Sequence, residues 1–353
     1  MFTFELYKIN VQQQKFDRLA NFEPVNGFKF SQKLNGVGEL EFSQIINEEF
    51  IKLAQLYSTC VLIKKNNVPI DVYFTQDIEL NYSVNQYIAN FICLSWLGHL
   101  IEINNTGRYT DASQSYINEW QEVIAWDLID KTQQKTNGWL GIVLGSTHQT
   151  KRRDRNYEYY NIGQAIINLS NVIEGFDFDF KPQINADGNL VNVRFNTYNL
   201  KKGKLRTDLP LISLNSNIES LSVRTINGVW NYVLGMGSGN VTDFVYSAEN
   251  TNSQQFLTRR EKILDLKDIS VFSTLENKVN SELDDGLTQD FEVTVKIVPE
   301  SNIDFFDLEV GDFLIINKEL IPLFETDRQI RLVKKQYNET PNDISYDFDF
   351  VVF

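Results

Sequence analysis

Residues 28–44, FKFSQKLNGVGELEFSQ, constrain the fold more than any other stretch of this chain. Phe28, Phe30, Leu34, Leu40 and Phe42 stand on even positions, while Lys29, Ser31, Lys33, Glu39, Glu41 and Ser43 take odd ones. A period of two belongs to β-strands with one apolar and one wet face, because successive side chains leave the pleat on opposite sides. The turn sets the register. A two-residue Asn35-Gly36 turn would oppose Leu34 to Val37 and mix the faces. A three-residue Gly36-Val37-Gly38 loop opposes Leu34 to Leu40, Gln32 to Phe42 and Lys33 to Glu41. We expect that second register, with the glycines supplying positive φ. Such a hairpin is built to cover something.

Further strand-like runs occupy 2–9, 60–65, 69–83 and 87–104, with one short helix expected at 46–56 from the stripe of Phe50, Leu53 and Leu56. The polar run 104–115 breaks this pattern. The spacing of Tyr116, Trp120, Val123, Ile124 and Leu128 then predicts a helix, followed by an apolar strand at 139–146. A second helix is expected from Asn161 as N-cap, through Ile162, Ala165, Ile166, Leu169 and Ile173, ending at Gly175. FDFDFKPQ leads to a hairpin through Ala186-Asp187-Gly188. Beyond it come strand-like runs at 211–226 and 228–240, a helix at 271–285, and strands at 291–298, 308–317, 330–337 and the closing YDFDFVVF. The expected fold class is mainly β with α+β inserts. Two β-barrel-like domains, 1–108 and 209–353, flank a smaller α/β insert, 109–208, and the second carries a helical insert near 258–290.

With 353 residues, 42% hydrophobic and 13% aromatic, the chain can bury sizeable cores and is not a disordered protein. A net charge of −14 repels phosphate and argues against a nucleic-acid-binding groove; it suits a channel through which DNA slides without sticking. Cys60 and Cys93 lie in apolar strand-like runs and read as buried thiols. No leader pattern and no apolar run of membrane-spanning length is present, so a soluble chain made in a cytoplasm is expected.

Local signatures of catalysis are few in this sequence. His99 and His148 sit in no metal-ligand spacing, and His99 reads as an ordinary strand-end histidine. Ser238 lacks the glycine two residues before it that a nucleophile elbow needs. The glycines of GMGSGN, 235–240, lack a Walker ending and read as a turn or a close backbone approach. Asp177, Asp179, Asp347 and Asp349 alternate with Phe and read as the wet face of strands, and the basic run 151–155 as a solvated loop or a contact with an acidic partner. No catalytic, cofactor-binding or metal residue is assigned, and a non-enzyme without cofactor is expected.

Three stretches carry a resemblance. The hairpin with its N-G-x-G core resembles the N-terminal strands of phage tail hub proteins. VWNYVLGMGSG, 229–239, is similar to the strand after their central insert. FFDLEVGDFLIIN, 305–317, resembles their C-terminal L-x-x-GD turn, with Gly311 and Asp312 at the bend. The family is that of the gp27-like baseplate hubs and their long-tailed relatives, the tail-associated or minor tail proteins. The resemblance implies a homotrimeric ring whose tube domains imitate six-fold symmetry. That ring joins the tail tube to the tip and leaves a lumen for tape-measure protein and DNA, the latter as passing cargo. It implies distal tail or tube protein, tape-measure protein, and tip, fibre or receptor-binding proteins as partners. It also implies a place in the virion tail tip, assembly in the host cytoplasm, and a part in host attachment and genome ejection. Many relatives continue into a fibre or hydrolase extension; without such a motif, a hub alone is expected here. The Lys/Glu face of the hairpin is expected toward the lumen or a neighbouring subunit. Two other readings stand beside it. A carbohydrate-binding tip protein predicts exposed, coplanar aromatics, and a glycoside hydrolase predicts two close carboxylates in a cleft.

Overall fold

Seven antiparallel strands open the chain: β1 (Phe2–Asn10), β2 (Lys15–Phe22), β3 (Val25–Lys33), β4 (Glu39–Ile46), β5 (Thr59–Lys65), β6 (Val68–Ser83) and β7 (Gln86–Ser95). The computed structural model describes all residues except 47–54, 84–85, 104–105, 173, 210–217, 226–228, 239–243, 268, 288–290, 298–303, 322–325 and 353. Most of the helix expected at 46–56 lies outside the described residues; Ile46 ends β4 and Leu56 lies in a turn. The alternation of the hairpin does its expected work. Phe28, Phe30, Leu40 and Phe42 are buried, while Lys29 and Glu41 pair at 3.0 Å on the other face.

The register differs from the expected one. Phe30 opposes Leu40, Lys29 opposes Glu41 and Phe28 opposes Phe42. Even still meets even, so the faces survive, but the loop is longer than three residues. Ser31, Gln32 and Lys33 turn to a strand from the end of the chain instead, and Lys33 remains exposed. Positive φ falls on Asn35, at 49°, and on neither Gly36 nor Gly38. Gly38 serves close approach: a Cβ there would lie 2.3 Å from the Ser31 carbonyl oxygen.

The middle section holds β8 (Gln114–Trp120), the helix Gln121–Gln134, β9 (Ile142–Leu144), β10 (Arg152–Tyr157), the helix Ile162–Ser170, β11 (Asp177–Ile184) and β12 (Leu190–Tyr198). The helix expected from Tyr116 begins only at Gln121. A spacing of four fits both periods, so Tyr116 and Trp120 could not choose between them; pairing with β10 chose the strand. The basic run is therefore strand and not loop, with Arg152 over the Trp120 ring at 4.4 Å and Arg155 buried. The strand expected at 139–146 shrinks to β9, which pairs parallel to β12. Asn161 caps the second helix through its side chain, which accepts from the Gln164 amide at 2.9 Å. That helix stops at Ser170, short of Gly175.

The last section contributes β13 (Ile218–Thr225), β14 (Tyr232–Met236), β15 (Val245–Glu249), β16 (Glu261–Asp265), the helix Phe272–Leu287, β17 (Phe291–Ile297), β18 (Phe313–Ile316), β19 (Arg328–Thr340) and β20 (Asp343–Val352). Twelve strands form one sheet in the order β13-β17-β20-β19-β3-β4-β7-β6-β5-β1-β2, with β18 on β19. The first and last sections thus share a sheet across the β19–β3 seam, where Tyr337 opposes Phe30. Among the described residues this path ends in two edges, β13 and β2.

Three cores follow. One straddles the seam, with Phe30, Leu40, Val293, Phe305, Phe348 and Phe350. A second joins the other face of β1 and β5, through Tyr7, Cys60 and Leu62, to Ile124, Ile166 and Phe195 of the middle section. Because β5 is covered on both faces, it reads as a continuous apolar run and not as an alternation. Cys93 belongs to the first core and Cys60 to the second; both are free, buried thiols. The third core packs the helix Phe272–Leu287 on β14. The architecture is mainly β with α+β inserts, as expected. No described helix is long and apolar enough to cross a membrane.

Candidate functional site

The three sections meet at a cleft of about 520 Å3, lined by the hairpin loop around Asn35, the β5–β6 turn, the start of β11, residues 306–310 and Lys335. Beside it runs a chain of largely buried charges, of which Asp179 and Lys202 line the cleft. The positive φ of Asn35 aims its amide at β11: Nδ2 donates to the Asp177 carboxylate at 2.9 Å, and Oδ1 accepts from the Phe178 amide at 2.9 Å. Asp177 also accepts from the Arg331 guanidinium of β19 and from the Lys202 amide. Arg331 donates further to the Lys202 carbonyl at 3.0 Å. Beside this pair, Asp179 accepts from Lys202 Nζ and Tyr198 Oη, each at 2.8 Å. Burial works to raise the Asp179 carboxyl, but the Lys202 and Lys181 charges carry it below its ordinary value. Asp177 and Asp179 are therefore not the wet face of a strand. They tie the hairpin, β11 and β19 together, and only the fold could show it, since Arg331 lies 154 residues from Asp177.

Asp347 and Asp349 do stay on the polar face opposite Phe348 and Phe350; Asp349 accepts from Thr294 at 2.7 Å.

On the opposite wall Lys335 donates to the Phe305 and Leu308 carbonyls, at 3.2 and 2.6 Å, with its ammonium 4.4 Å from the Phe305 ring centroid. Burial, reinforced by the Lys181 charge, lowers its pKa to about 7. Burial likewise raises the Asp71 carboxyl, which accepts from Gln32 at 3.0 Å. The Gly311-Asp312 bend follows Glu309 and Val310 of the lining. The Asp312 carboxylate accepts from the amides of Glu309 and Lys204, at 3.1 and 3.0 Å, and pairs with Arg206. Gly311 has φ of 106°, and a Cβ on Gly203 would lie 2.2 Å from it. The L-x-x-GD turn is thus a clamp on residues 202–206. A second anchor lies on β1, where Glu5 pairs with Lys64 and Arg18 at 2.8 Å each and accepts from Tyr7. Lys64 then reaches the Gly188 carbonyl at 2.6 Å.

The charges of Asp177, Arg331, Asp179, Lys202 and Asp312 are consumed by one another, by Arg206 and by backbone groups, so they position segments. Among the described residues no group of three His, Cys, Asp or Glu is placed to hold a metal. His148 Nδ1 lies 2.9 Å from the Thr197 carbonyl oxygen. His99 sits in the 3-10 turn after β7, not at the strand end, and stacks on Phe74. The glycines at 235 and 237 are close-approach positions: a Cβ would meet Val279 at 2.4 Å and the Phe244 ring at 2.0 Å. Tyr82 and Tyr87 are exposed neighbours, but their rings are 50° from coplanar, unlike a sugar platform.

No protein-family profile and no curated protein matches the sequence. Solved structures do. The tail protein of Neisseria meningitidis MC58 matches with a TM-score of 0.60 at 11% identity, covering 100% of this chain and 96% of that one. The 43 kDa tail protein of prophage MuSo2 from Shewanella oneidensis matches with 0.58 at 7% identity, covering 99% and 98%. This chain has the phage tail-protein fold. The prophage tail protein gp18 of Listeria monocytogenes EGD-e matches the same fold with 0.54 at 12% identity, over 98% and 94%. A chain of the Francisella PdpA–VgrG complex also has it, at 0.54 and 9% identity; 99% of this chain covers 57% of that one. The resemblance carried by the hairpin, the 229–239 strand and the L-x-x-GD turn is thus met at the level of fold.

Proposed function

We propose that this chain is the structural, non-enzymatic hub of a phage or phage-like tail tip. Three copies form a ring that joins tail tube to tip and leaves a lumen for tape-measure protein and passing DNA. The observation that carries this reading is the whole-length match to tail proteins, obtained with a sheet that runs unbroken from the first section into the last. The sections 1–108 and 209–353 serve as the two tube domains and 109–208 as the insert. Among the described residues β13 and β2 end the sheet path, and an unpaired edge is a template for pairing with neighbouring chains. The Lys29–Glu41 face of the hairpin looks to the lumen or to a neighbour, and the net charge of −14 keeps DNA from sticking as it passes. Partners are the distal tail or tube protein, the tape-measure protein and the tip, fibre or receptor-binding proteins, in a virion assembled in the host cytoplasm. Host attachment and genome ejection pass through this ring.

Light scattering on the purified protein, followed by negative-stain imaging, tests it. A mass three times 41.0 kDa, with particles holding a central hole, is expected. A monomer at every concentration, which also fails to trimerise when mixed with its tail-tube protein, would overturn the ring.

A further inference from the structure

A second cavity, of about 370 Å3, lies between the β5–β6 ribbon and the start of the middle section, away from the buried charge chain. Phe74, Trp139, Ile9 and Ile101 form its apolar walls. Three polar groups stand on its lining without partners among the described residues. Gln76, 9% exposed, gives its amide to Tyr57 Oη at 2.9 Å and leaves Oε1 buried and unpaired. His99 stacks on Phe74 at 3.7 Å, and its Nε2 is likewise buried and unpaired. Among the described residues the half-buried Arg108 guanidinium makes no hydrogen bond or ion pair, although its backbone carbonyl is fixed by the Ile162 amide. Burial lowers the Arg108 pKa, and burial together with the Arg108 charge holds His99 neutral down to about pH 3.

The two buried atoms, Gln76 Oε1 and His99 Nε2, are costly alone, and the partly desolvated Arg108 charge adds to them. A partly desolvated cation without a counter-charge, a buried amide oxygen without a donor and a buried ring nitrogen without a partner are the exceptions in folded proteins. An unpaired cation and an unpaired amide oxygen on one cavity of ligand size, with an aromatic wall, have the make-up of a ligand site. Arg108 calls for a carboxylate, the group its planar fork recognises best. Gln76 Oε1 can only accept, so it calls for a hydroxyl or N–H donor. The Phe74–His99 stack and Trp139 call for a flat ring between the two.

We propose that this cavity binds a hydroxylated aromatic carboxylate, with the acid on Arg108, the hydroxyl on Gln76 and the ring against the aromatic wall. The same chemistry is offered by a free phenolic acid and by a tyrosine at the C-terminus of a peptide. The proposal stands apart from the hub reading and does not depend on trimer formation.

Isothermal titration calorimetry of the full-length protein with 4-hydroxyphenylacetate tests it, alongside a tripeptide ending in tyrosine. Saturable one-to-one binding of at least one of them is expected, and the tighter of the two identifies the source. The neutral 4-hydroxyphenylacetamide should bind the unaltered protein at least about tenfold more weakly, as should the acid to Arg108→Gln. Equal binding of acid and amide, or no saturable binding of either acid, overturns the site. The acid–amide comparison uses the native protein, so it holds even if Arg108→Gln fails to fold.

Discussion

At the scale of single residues, the decisive groups are charges taken out of water. Asp177 and Arg331 are both buried, and each satisfies backbone groups as well as its partner. Removing one member leaves the other charged and unpaired in the interior, which costs about 3–5 kcal/mol. We expect Asp177→Ala to lose that much in urea unfolding, whereas Lys29→Ala, whose partner Glu41 is half exposed, should lose less than about 1 kcal/mol. Equal losses would mean that Asp177 does not join the sections. Lys335 gives a pH dependence. The unfolded chain holds its proton to about 10.5, the folded protein only to about 7. Between those values the unfolded state binds more protons, so raising the pH from 7 toward 9 favours the fold. The gain is at most about 1.4 kcal/mol per pH unit, and none comes below the folded pKa. Lys335→Met should flatten that slope; parallel curves for the two proteins would contradict it.

At the scale of elements, the hairpin shows how far periodicity reaches. Parity was legible in Phe28, Phe30, Leu40 and Phe42, because a one-residue slip would turn the whole apolar set to water. A shift of the pairing by four residues keeps parity, so the sequence pattern could not distinguish the two registers. The β19 strand took up Ser31–Lys33 and decided it. The same logic made Tyr116 and Trp120 ambiguous between helix and strand. Gly27 tests the seam directly. It has φ of 93°, and a Cβ there would lie 1.8 Å from the Glu339 carbonyl oxygen of β19. Gly27→Ala should cost about 3 kcal/mol or more in chemical denaturation. Gly36→Ala, whose Cβ would meet only the flexible Lys33 side chain, should cost less than about 1 kcal/mol. A neutral Gly27→Ala would mean that β3 and β19 are not packed as described.

At the scale of the whole molecule, the seam makes the first section dependent on the last. Phe28 and Phe30 share rings with Tyr337, and Phe30 with Phe305, in a core that neither half completes alone. A fragment of residues 1–208 would expose one face of β3 and β4 to water. It should lack near-ultraviolet circular dichroism and cooperative unfolding, and regain both only with the remainder of the chain. A fragment that melts cooperatively by itself would show two independent β units instead of one sheet.

Strand content, the Asn161 cap and the hairpin at Asp187-Gly188 were all legible in the sequence. Each rests on short-range rules: alternation, a capping oxygen, a turn residue. The seam, the Asp177–Arg331 tie and the Arg108–Gln76–His99 cavity were not. They depend on pairs far apart in the chain, where a charged residue looks like any solvated one until burial decides what it must face. Asp177 is the clearest case. Its alternation with phenylalanine placed it on a polar face, and only packing against β19 made that face an interior, because desolvation is a property of the neighbours and not of the residue.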